Sequence, residues 1–217
     1  MFTGIVQGLC PVADIEDVDG IRRFTVDLGP LAEGVAHGAS IANNGTCLSA
    51  TAIDGGLVTF DVIAETLTVT NLGDVTVGDA VNIERSMSFG DEIGGHLVSG
   101  HVSTTATVVK IEADQANRTT WFQTTAEAMP YLLMKGFVAL DGASLTISRV
   151  DRPANRFAVS LIPDTLAKTT LGTVAVGDRV NVEFDTQTQA IVDTVRSMLG
   201  DPDVRAQILE TLETDPG

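Results

Sequence analysis

Positive charge is scarce in this chain. Lys and Arg number 13 against 29 Asp and Glu, giving a formal net charge of -16. A surface this acidic repels phosphate backbones and anionic membranes, which argues against nucleic-acid and membrane-surface partners. Aromatics are scarce as well, and one Trp with one Tyr cannot furnish the stacking platform of a single-strand-binding barrel. Cysteine is limited to Cys10 and Cys47, too few for a disulfide framework, so a reduced cytoplasm is the expected compartment. No apolar run is long enough to cross a bilayer as a helix. "MFTGIVQG" has neither the basic start nor the apolar stretch of a signal peptide. His96 and His101 lie five apart in "GDEIGGHLVSGHV", a spacing that sends them to opposite faces of a strand. With no Cys, His and carboxylate cluster to complete a site, no metal is expected.

Glycine, by contrast, is plentiful at 21 residues, and hydrophobic residues make up 44% of the chain. That suffices for a buried core and favours short strands with tight turns over long helices. "GLVTFDVI" (56–63) and "NRFAVSLI" (155–162) alternate apolar and polar residues, the period of a half-buried strand. "DVDG", "IDGGL" and "DRPAN" supply turn chemistry between such segments.

The sequence also repeats itself. "ETLTVTNLGDVTVGDAVNIE" (65–84) returns as "DTLAKTTLGTVAVGDRVNVE" (164–183), with Leu67, Leu72, Gly73, Gly78, Asp79, Asn82 and Glu84 recurring at a constant offset. "NGTCLSAT" (44–51) returns as "DGASLTIS" (141–148), and "FTGIV" (2–6) is echoed by "VSGHV" (98–102). The chain therefore divides into homologous halves, 1–96 and 97–185, each predicted to close as a small β-barrel. In the remaining tail, 186–217, Ile191, Val195 and Met198 share one helical face, flanked by Val192 and Leu199. A second helical stretch is predicted from Asp201-Pro202, with Val204, Ile208 and Leu212 on one face. A stripe appended to two finished barrels must be buried either on its own barrels or against a neighbour's helix, and oligomer assembly is the sharper expectation.

The copies differ where chemistry matters. Cys47 stands opposite Ser144, His101 replaces Ile5, and Asp141 and Asp185 face Asn44 and Ser86. A free cysteine is most often a small buried hydrophobe, the role expected of Cys10. Cys47 lies in a repeated motif whose other copy offers a hydroxyl, which makes it a candidate nucleophile, with His101 a candidate general base. For Asp141 a turn role competes with a catalytic one, and for Asp185 a strand-end or cap role does.

Taken together, "MFTGIVQG", "NGTCL", "GGHLVSGHV", "LIPDTL" and "TTLG" resemble the riboflavin synthase family of the twin-barrel type, over essentially the whole chain. The resemblance implies an all-β fold: two homologous six-stranded Greek-key closed barrels in tandem plus a C-terminal α-helix. It implies a transferase with no metal and no redox cofactor. Two molecules of 6,7-dimethyl-8-ribityllumazine dismutate, one giving a four-carbon unit to the other, into riboflavin and 5-amino-6-ribitylaminopyrimidinedione. It implies a homotrimer held partly by C-terminal helices, with each site between the first barrel of one subunit and the second of another. Lumazine synthase is a further candidate partner.

The catalytic residues the resemblance points to are Cys47, Ser40, His101, Asp141 and Asp185. Phe2 and Thr3 are expected to contact substrate. Gly4, Ile5, Val6, Leu48, Ser49, Asp61, Val62, Ile63, Ala64, Glu65, Thr66, Gly100 and Val102 are expected in the first pocket. Ser144, Leu145, Thr146, Ile162, Pro163, Asp164, Thr165, Leu166 and Ala167 are expected in the second, with Lys135 reaching across from a neighbouring chain. Lumazine proteins share this fold and bind the same ligand as non-catalytic fluorescent antennae. A binding-only chain is expected to have lost the thiol and the proton-moving residues, all of which are present here.

Overall fold

In the computed structural model, which describes residues 1–113 and 118–204, the alternating segments form strands that turn one face into a barrel interior. The first half contains β1 (Gly8–Val18), β2 (Ile21–Asp27), β3 (Ser40–Asn43), β4 (Thr46–Asp54), β5 (Leu57–Ile63) and β6 (Ala80–Arg85). A short helix α1 (Ala64–Val69) lies between β5 and β6. The second half repeats this as β7 (Thr104–Ala113), β8 (Arg118–Gln123), β9 (Phe137–Leu140), β10 (Ala143–Asp151), β11 (Arg156–Leu161) and β12 (Arg179–Phe184), with α2 (Pro163–Lys168) in the matching place. Each half is a closed barrel, paired β1-β2-β5-β4-β3-β6 in the first and β10-β11-β8-β7-β12-β9 in the second, the same cyclic order. β2 pairs with β5 past the β3–β4 hairpin, a Greek-key connection.

Each barrel has its own core. Val58, Phe60 and Val62 of β5 point inward at 1% exposure or less, and Phe157, Val159 and Leu161 of β11 do the same. Burying each such side chain contributes about 1.5–3 kcal/mol. Cys10 belongs to the first core at 5% exposure, and burial pushes its thiol pKa up, in keeping with a packing role.

The two barrels meet at a pair of hairpin turns. Asn44-Gly45 has φ of 45° and 77°, and Asp141-Gly142 has 44° and 83°, the left-handed pair that a two-residue hairpin needs to match strand twist. These turns lie back to back: a Cβ on Gly45 would come 2.6 Å from the Gly142 nitrogen. Buried amides tie them together. Asn82 donates through Nδ2 to the Asp141 carbonyl (2.8 Å), and Asn181 donates through Nδ2 to the Asn44 carbonyl (2.8 Å). Asp141 departs from expectation here. Its carboxylate, 2% exposed, accepts from Asn71 Nδ2 (2.9 Å), the Asn181 amide (2.8 Å) and Thr170 Oγ1 (3.2 Å). It is a buried tie between the barrels rather than a group presented with Cys47 or Ser144, because its turn is packed against the other barrel's turn. Burial pushes its pKa up to about 7 in spite of those hydrogen bonds.

The segment leading into each half crosses the same junction. Thr3 donates from N and Oγ1 to Glu84 (2.6 and 2.7 Å), and Gly4 N adds a third bond (3.1 Å). Ser99 N and Oγ with Gly100 N treat Glu183 likewise, at 2.6, 2.8 and 3.0 Å. Burial raises the pKa of both glutamates, while these donors pull it back down. Phe2 and Val98 pair with each other at 2.8 and 3.0 Å, and with Ala42 and Ala139 they form a small apolar cluster against which Cys47 packs.

The tail forms a separate unit from Thr186 onward. Its helix α3 (Thr186–Gly200) carries the predicted stripe, with Ile191, Val195 and Met198 at 65%, 48% and 50% exposure. The second predicted stretch is helical at residues 202–204, while Ile208 and Leu212 lie outside the described residues.

Candidate functional site

Barrel closure decides which residues of β4 and β10 are available. Leu48 and Ala50 are buried in the first interior, so Cys47 and Ser49 face outward. On β10, Ser144 and Thr146 face outward in the same way, and Leu145 packs against the second core.

Over each outward face lies the leading segment of the opposite half. The Cys47 amide donates to the Gly100 carbonyl (2.9 Å), and the Ser144 amide donates to the Gly4 carbonyl (2.8 Å). Both glycines have positive φ, 74° at Gly4 and 85° at Gly100. A Cβ on either would come 2.5 Å from the Cβ of the residue beneath it, Ser144 or Cys47. Only glycine allows this approach.

The second cleft is thus bounded by Gly4, Ile5, Val6, Ser144, Asp164, Thr165 and Lys168, enclosing about 140 Å³. Gly4, Ile5 and Val6 were expected in the first pocket, and this placement corrects that expectation. The hydrogen bond from Ser144 commits them to the second barrel's cleft, just as Cys47 commits Gly100 to the first. Ile63 and Ile162, at equivalent positions ahead of α1 and α2, are 53% and 59% exposed. A larger cavity of about 570 Å³ lies between the barrels around Asn71, Asp79, Asp178 and Arg179. It holds neither Cys47 nor Ser144. Its Asn71 and Asp141 are committed to the interbarrel amide network, Asp79 and Asp178 accept within their own turns, and Arg179 is ion-paired to Asp74.

The remaining expected residues separate into those facing the clefts and those turned away. His101 is exposed, and its amide donates to Ser99 Oγ (3.1 Å). Its charge helps to lower the Glu183 pKa against the dominant rise from burial. Ser40 on β3 pairs across the ladder with Ser49. Asp61 is ion-paired to Arg23 at 2.8 Å, while the Val62 side chain lies in the first core at 1% exposure and does not present itself to a ligand. Lys135 has φ of 69° in the turn before β9 and does not line the second cleft of its own chain.

His96 lies outside the expected site residues, yet the structure sets it against the second cleft. It is 7% exposed, its Nδ1 lies 2.6 Å from Ser144 Oγ, and its ring stacks on Phe137 at 5.1 Å. Burial lowers its pKa, while the nearby Asp185 charge acts in the opposite direction. Glu84 and Glu183, which anchor the crossing segments, also lie outside the expected site, although their recurrence at the end of "VGDAVNIE" and "VGDRVNVE" is a readable signal.

A family model described as the lumazine binding domain matches the chain twice, over residues 3–86 and 99–185. The riboflavin synthase of Escherichia coli K12 is 51% identical over 201 residues, covering 92% of this chain and 93% of that protein. That of Chlamydia pneumoniae is 42% identical over 204 residues, covering 92% and 97%. Among solved structures, LumP complexed with riboflavin has a TM-score of 0.79 at 26% identity, covering 86% of this chain and 100% of that one. LumP complexed with 6,7-dimethyl-8-(1'-D-ribityl) lumazine has a TM-score of 0.76 at 27% identity, covering 84% and 98%.

Proposed function

The chain belongs to the lumazine-binding domain family and, within it, to the riboflavin synthases, and from that premise we propose that its two unlike clefts hold the two reacting copies of one substrate. The enzyme is a transferase that converts two molecules of 6,7-dimethyl-8-ribityllumazine into riboflavin and 5-amino-6-ribitylaminopyrimidinedione. The observation that carries the two-cleft reading is a doubled crossing with unequal contents: Cys47 under Gly100 beside His101, and Ser144 under Gly4 beside Ile5. Two identical molecules with different fates, donor and acceptor of the four-carbon unit, call for similar pockets that are chemically unlike.

Most of the rate enhancement is assigned to holding the two ring systems face to face, which turns a bimolecular encounter into an intramolecular one. The C7 methyl proton is acidic because its carbanion delocalises into the ring, so a modest base such as His101 suffices to move it. Cys47, with Ser40 nearby on the sheet, is assigned to the nucleophilic event at C7, directly or by orienting water. Asp185 is assigned to proton movement on the second side. Asp141 is assigned no step, since its carboxylate is committed between the barrels.

Each catalytic centre is proposed to join the first cleft of one subunit to the second cleft of another in a cytoplasmic homotrimer. Two observations favour this arrangement. The second cleft encloses about 140 Å³, whereas pockets that bury a ligand of this size are usually about 300–1,000 Å³, so another surface must complete it. The α3 stripe of Ile191, Val195 and Met198 is also exposed in the single chain and suits helix association.

Incubation of the purified protein with 6,7-dimethyl-8-ribityllumazine alone tests the reading. Riboflavin is expected to form with half-molar stoichiometry. Stable binding with no riboflavin at any pH where the protein is folded would make it a binding-only protein instead.

A further inference from the structure

The two clefts differ by more than a thiol and a hydroxyl. In the second, His96 stands behind Ser144 with Nδ1 at 2.6 Å from Oγ, while Nε2 is buried with no partner. In the first, no hydrogen bond to the Cys47 sulfur forms among the described residues, and Ser40 occupies the place that Phe137 holds against His96. The closeness of the second arrangement depends on Gly95, where a Cβ would come 2.4 Å from the Thr3 carbonyl oxygen and 2.9 Å from Ser144 Oγ.

The direction of the His96–Ser144 bond follows from what each alternative leaves unpaired. Burial keeps the ring neutral, holding its pKa below the usual value, so it carries one proton. On Nε2 that proton would be a buried N–H with no acceptor, a rare and costly state. On Nδ1 it is donated to Ser144 Oγ, and only a lone pair goes unmatched against the apolar surroundings, which costs less. The Ser144 hydroxyl then accepts from His96, and its own hydrogen is left for some other acceptor.

We propose that His96 is a positioning residue that fixes Ser144 as an oriented hydrogen-bond donor to a carbonyl oxygen or ring nitrogen of the heterocycle bound in the second cleft. Ser144 thereby acts as a donor rather than a nucleophile, and the second cleft grips its ligand through a polarity set from behind. The first cleft, with an unassisted thiol, has no equivalent grip. This assignment rests on the two-cleft reading, which riboflavin formation by the unmodified enzyme tests separately.

The experiment compares His96→Asn, His96→Leu, Ser144→Ala and the His96→Leu/Ser144→Ala double variant in the full-length protein. Riboflavin serves as a non-reacting binding probe, and turnover of 6,7-dimethyl-8-ribityllumazine is followed from pH 5 to pH 9. The Asn side-chain amide places an N–H where Nδ1–H stood, so His96→Asn is expected to bind and turn over within about threefold of the parent, with an unshifted pH profile. Loss of one oriented hydrogen bond predicts that His96→Leu and Ser144→Ala each weaken riboflavin binding and kcat/KM by about tenfold. The double variant should be no worse than either single one. The proposal is overturned if Asn is as damaging as Leu, if the two single losses multiply, or if His96→Asn loses a limb of the pH profile. If His96→Leu does not fold, Ser144→Ala decides, and full affinity for riboflavin in that variant overturns the proposal.

Discussion

The first barrel and the second share one strand order, one hairpin turn and one crossing segment, and they differ in what the cleft contains. Under Gly100 lies a thiol with an exposed histidine beside it; under Gly4 lies a hydroxyl held by a buried histidine, with Ile5 alongside. The scaffold is conserved between the halves where geometry is strict. Gly4 and Gly100 each tolerate no Cβ, Glu84 and Glu183 each bind three donors, and the Asn-Gly and Asp-Gly turns adopt the same left-handed pair. The halves diverge at side chains that face outward. The difference teaches that one frame can be repeated closely in its glycines, turns and anchoring glutamates while the side chains at the crossing segments differ.

The largest effect is expected from separating the unlike clefts. If a centre joins the first cleft of one subunit to the second of another, deleting residues 187–217 removes the α3 stripe and disperses the assembly. Each barrel keeps its own core, so circular dichroism should still report folded protein, and light scattering should report monomers. Riboflavin formation is expected to fall by about a thousandfold or more, a fraction of what proximity supplies to two reactants. Truncated monomers of full activity would place both clefts of a working centre within one chain.

Exchanging the contents of one cleft should matter less. Cys47→Ser gives the first cleft the second cleft's atom and is expected to lower kcat by roughly a hundredfold, the scale of one positioned reactive group. The melting temperature should barely move, because Cys47 is only partly buried. Cys10→Ser is the complementary case: it buries a hydroxyl in the first core and is expected to cost about 1–3 kcal/mol of stability while leaving turnover per folded molecule intact. Equal and mild effects on turnover from both changes would reduce Cys47 to packing.

Much of this architecture was legible in the sequence, and the exceptions have physical reasons. The alternation of "GLVTFDVI" became β5 with Val58, Phe60 and Val62 in the core, because period-two patterning reports directly which face is buried. The constant offset between the halves carried the doubled fold. A repeat, however, assigns equivalent positions without saying which copy a segment packs against. Gly4 to Val6 are therefore expected with Cys47, although the hydrogen bond from Ser144 to the Gly4 carbonyl sets the segment over the second barrel. His96 was judged by its spacing from His101, which predicts the direction of a side chain but not the wall of Phe137 and Ser144 that encloses it. Asp141 looked like an added acid in the second half, and only the opposing barrel's Asn71, together with Asn181 and Thr170, reveals where its carboxylate goes.

Asp141→Asn erases the one charge difference between the two junction turns. The folded pKa of about 7 lies above the reference value of 3.8, so the protonated form favours folding. That contribution is complete at pH values below the unfolded pKa and is lost as pH rises through the folded one. Chemical denaturation should find the parent losing stability between pH 5 and pH 8 by on the order of 1–3 kcal/mol more than Asp141→Asn does. The raised pKa values of Glu84 and Glu183 act in the same direction, but in both proteins alike, so the difference isolates Asp141. Turnover is expected to stay within about threefold, since hydrogen bonding without charge suffices at that place. A hundredfold loss of turnover in a stable variant would return Asp141 to the chemistry.

The smallest effect concerns a place where the second half accepts strain that the first avoids. Lys135 has φ of 69° where the equivalent turn of the first half has Gly38 at 81°. A lysine in this conformation costs on the order of 1 kcal/mol relative to glycine, and its backbone role, donating from N to the Ile147 carbonyl at 2.8 Å, matches that of Gly38 toward Ala50 at 2.7 Å. The turn therefore has no structural need of a side chain, which makes Lys135 a test of whether its ammonium serves the ligand. Lys135→Gly is accordingly expected to raise stability by about 0.5–1 kcal/mol while raising KM for the lumazine several-fold with little change in kcat, the pattern of lost uniform binding. If the ammonium acts across a subunit interface, the KM effect should persist at high protein concentration, where the proposed assembly would be intact. A more stable variant with unchanged KM would leave the strain at Lys135 without a functional counterpart and remove it from the site.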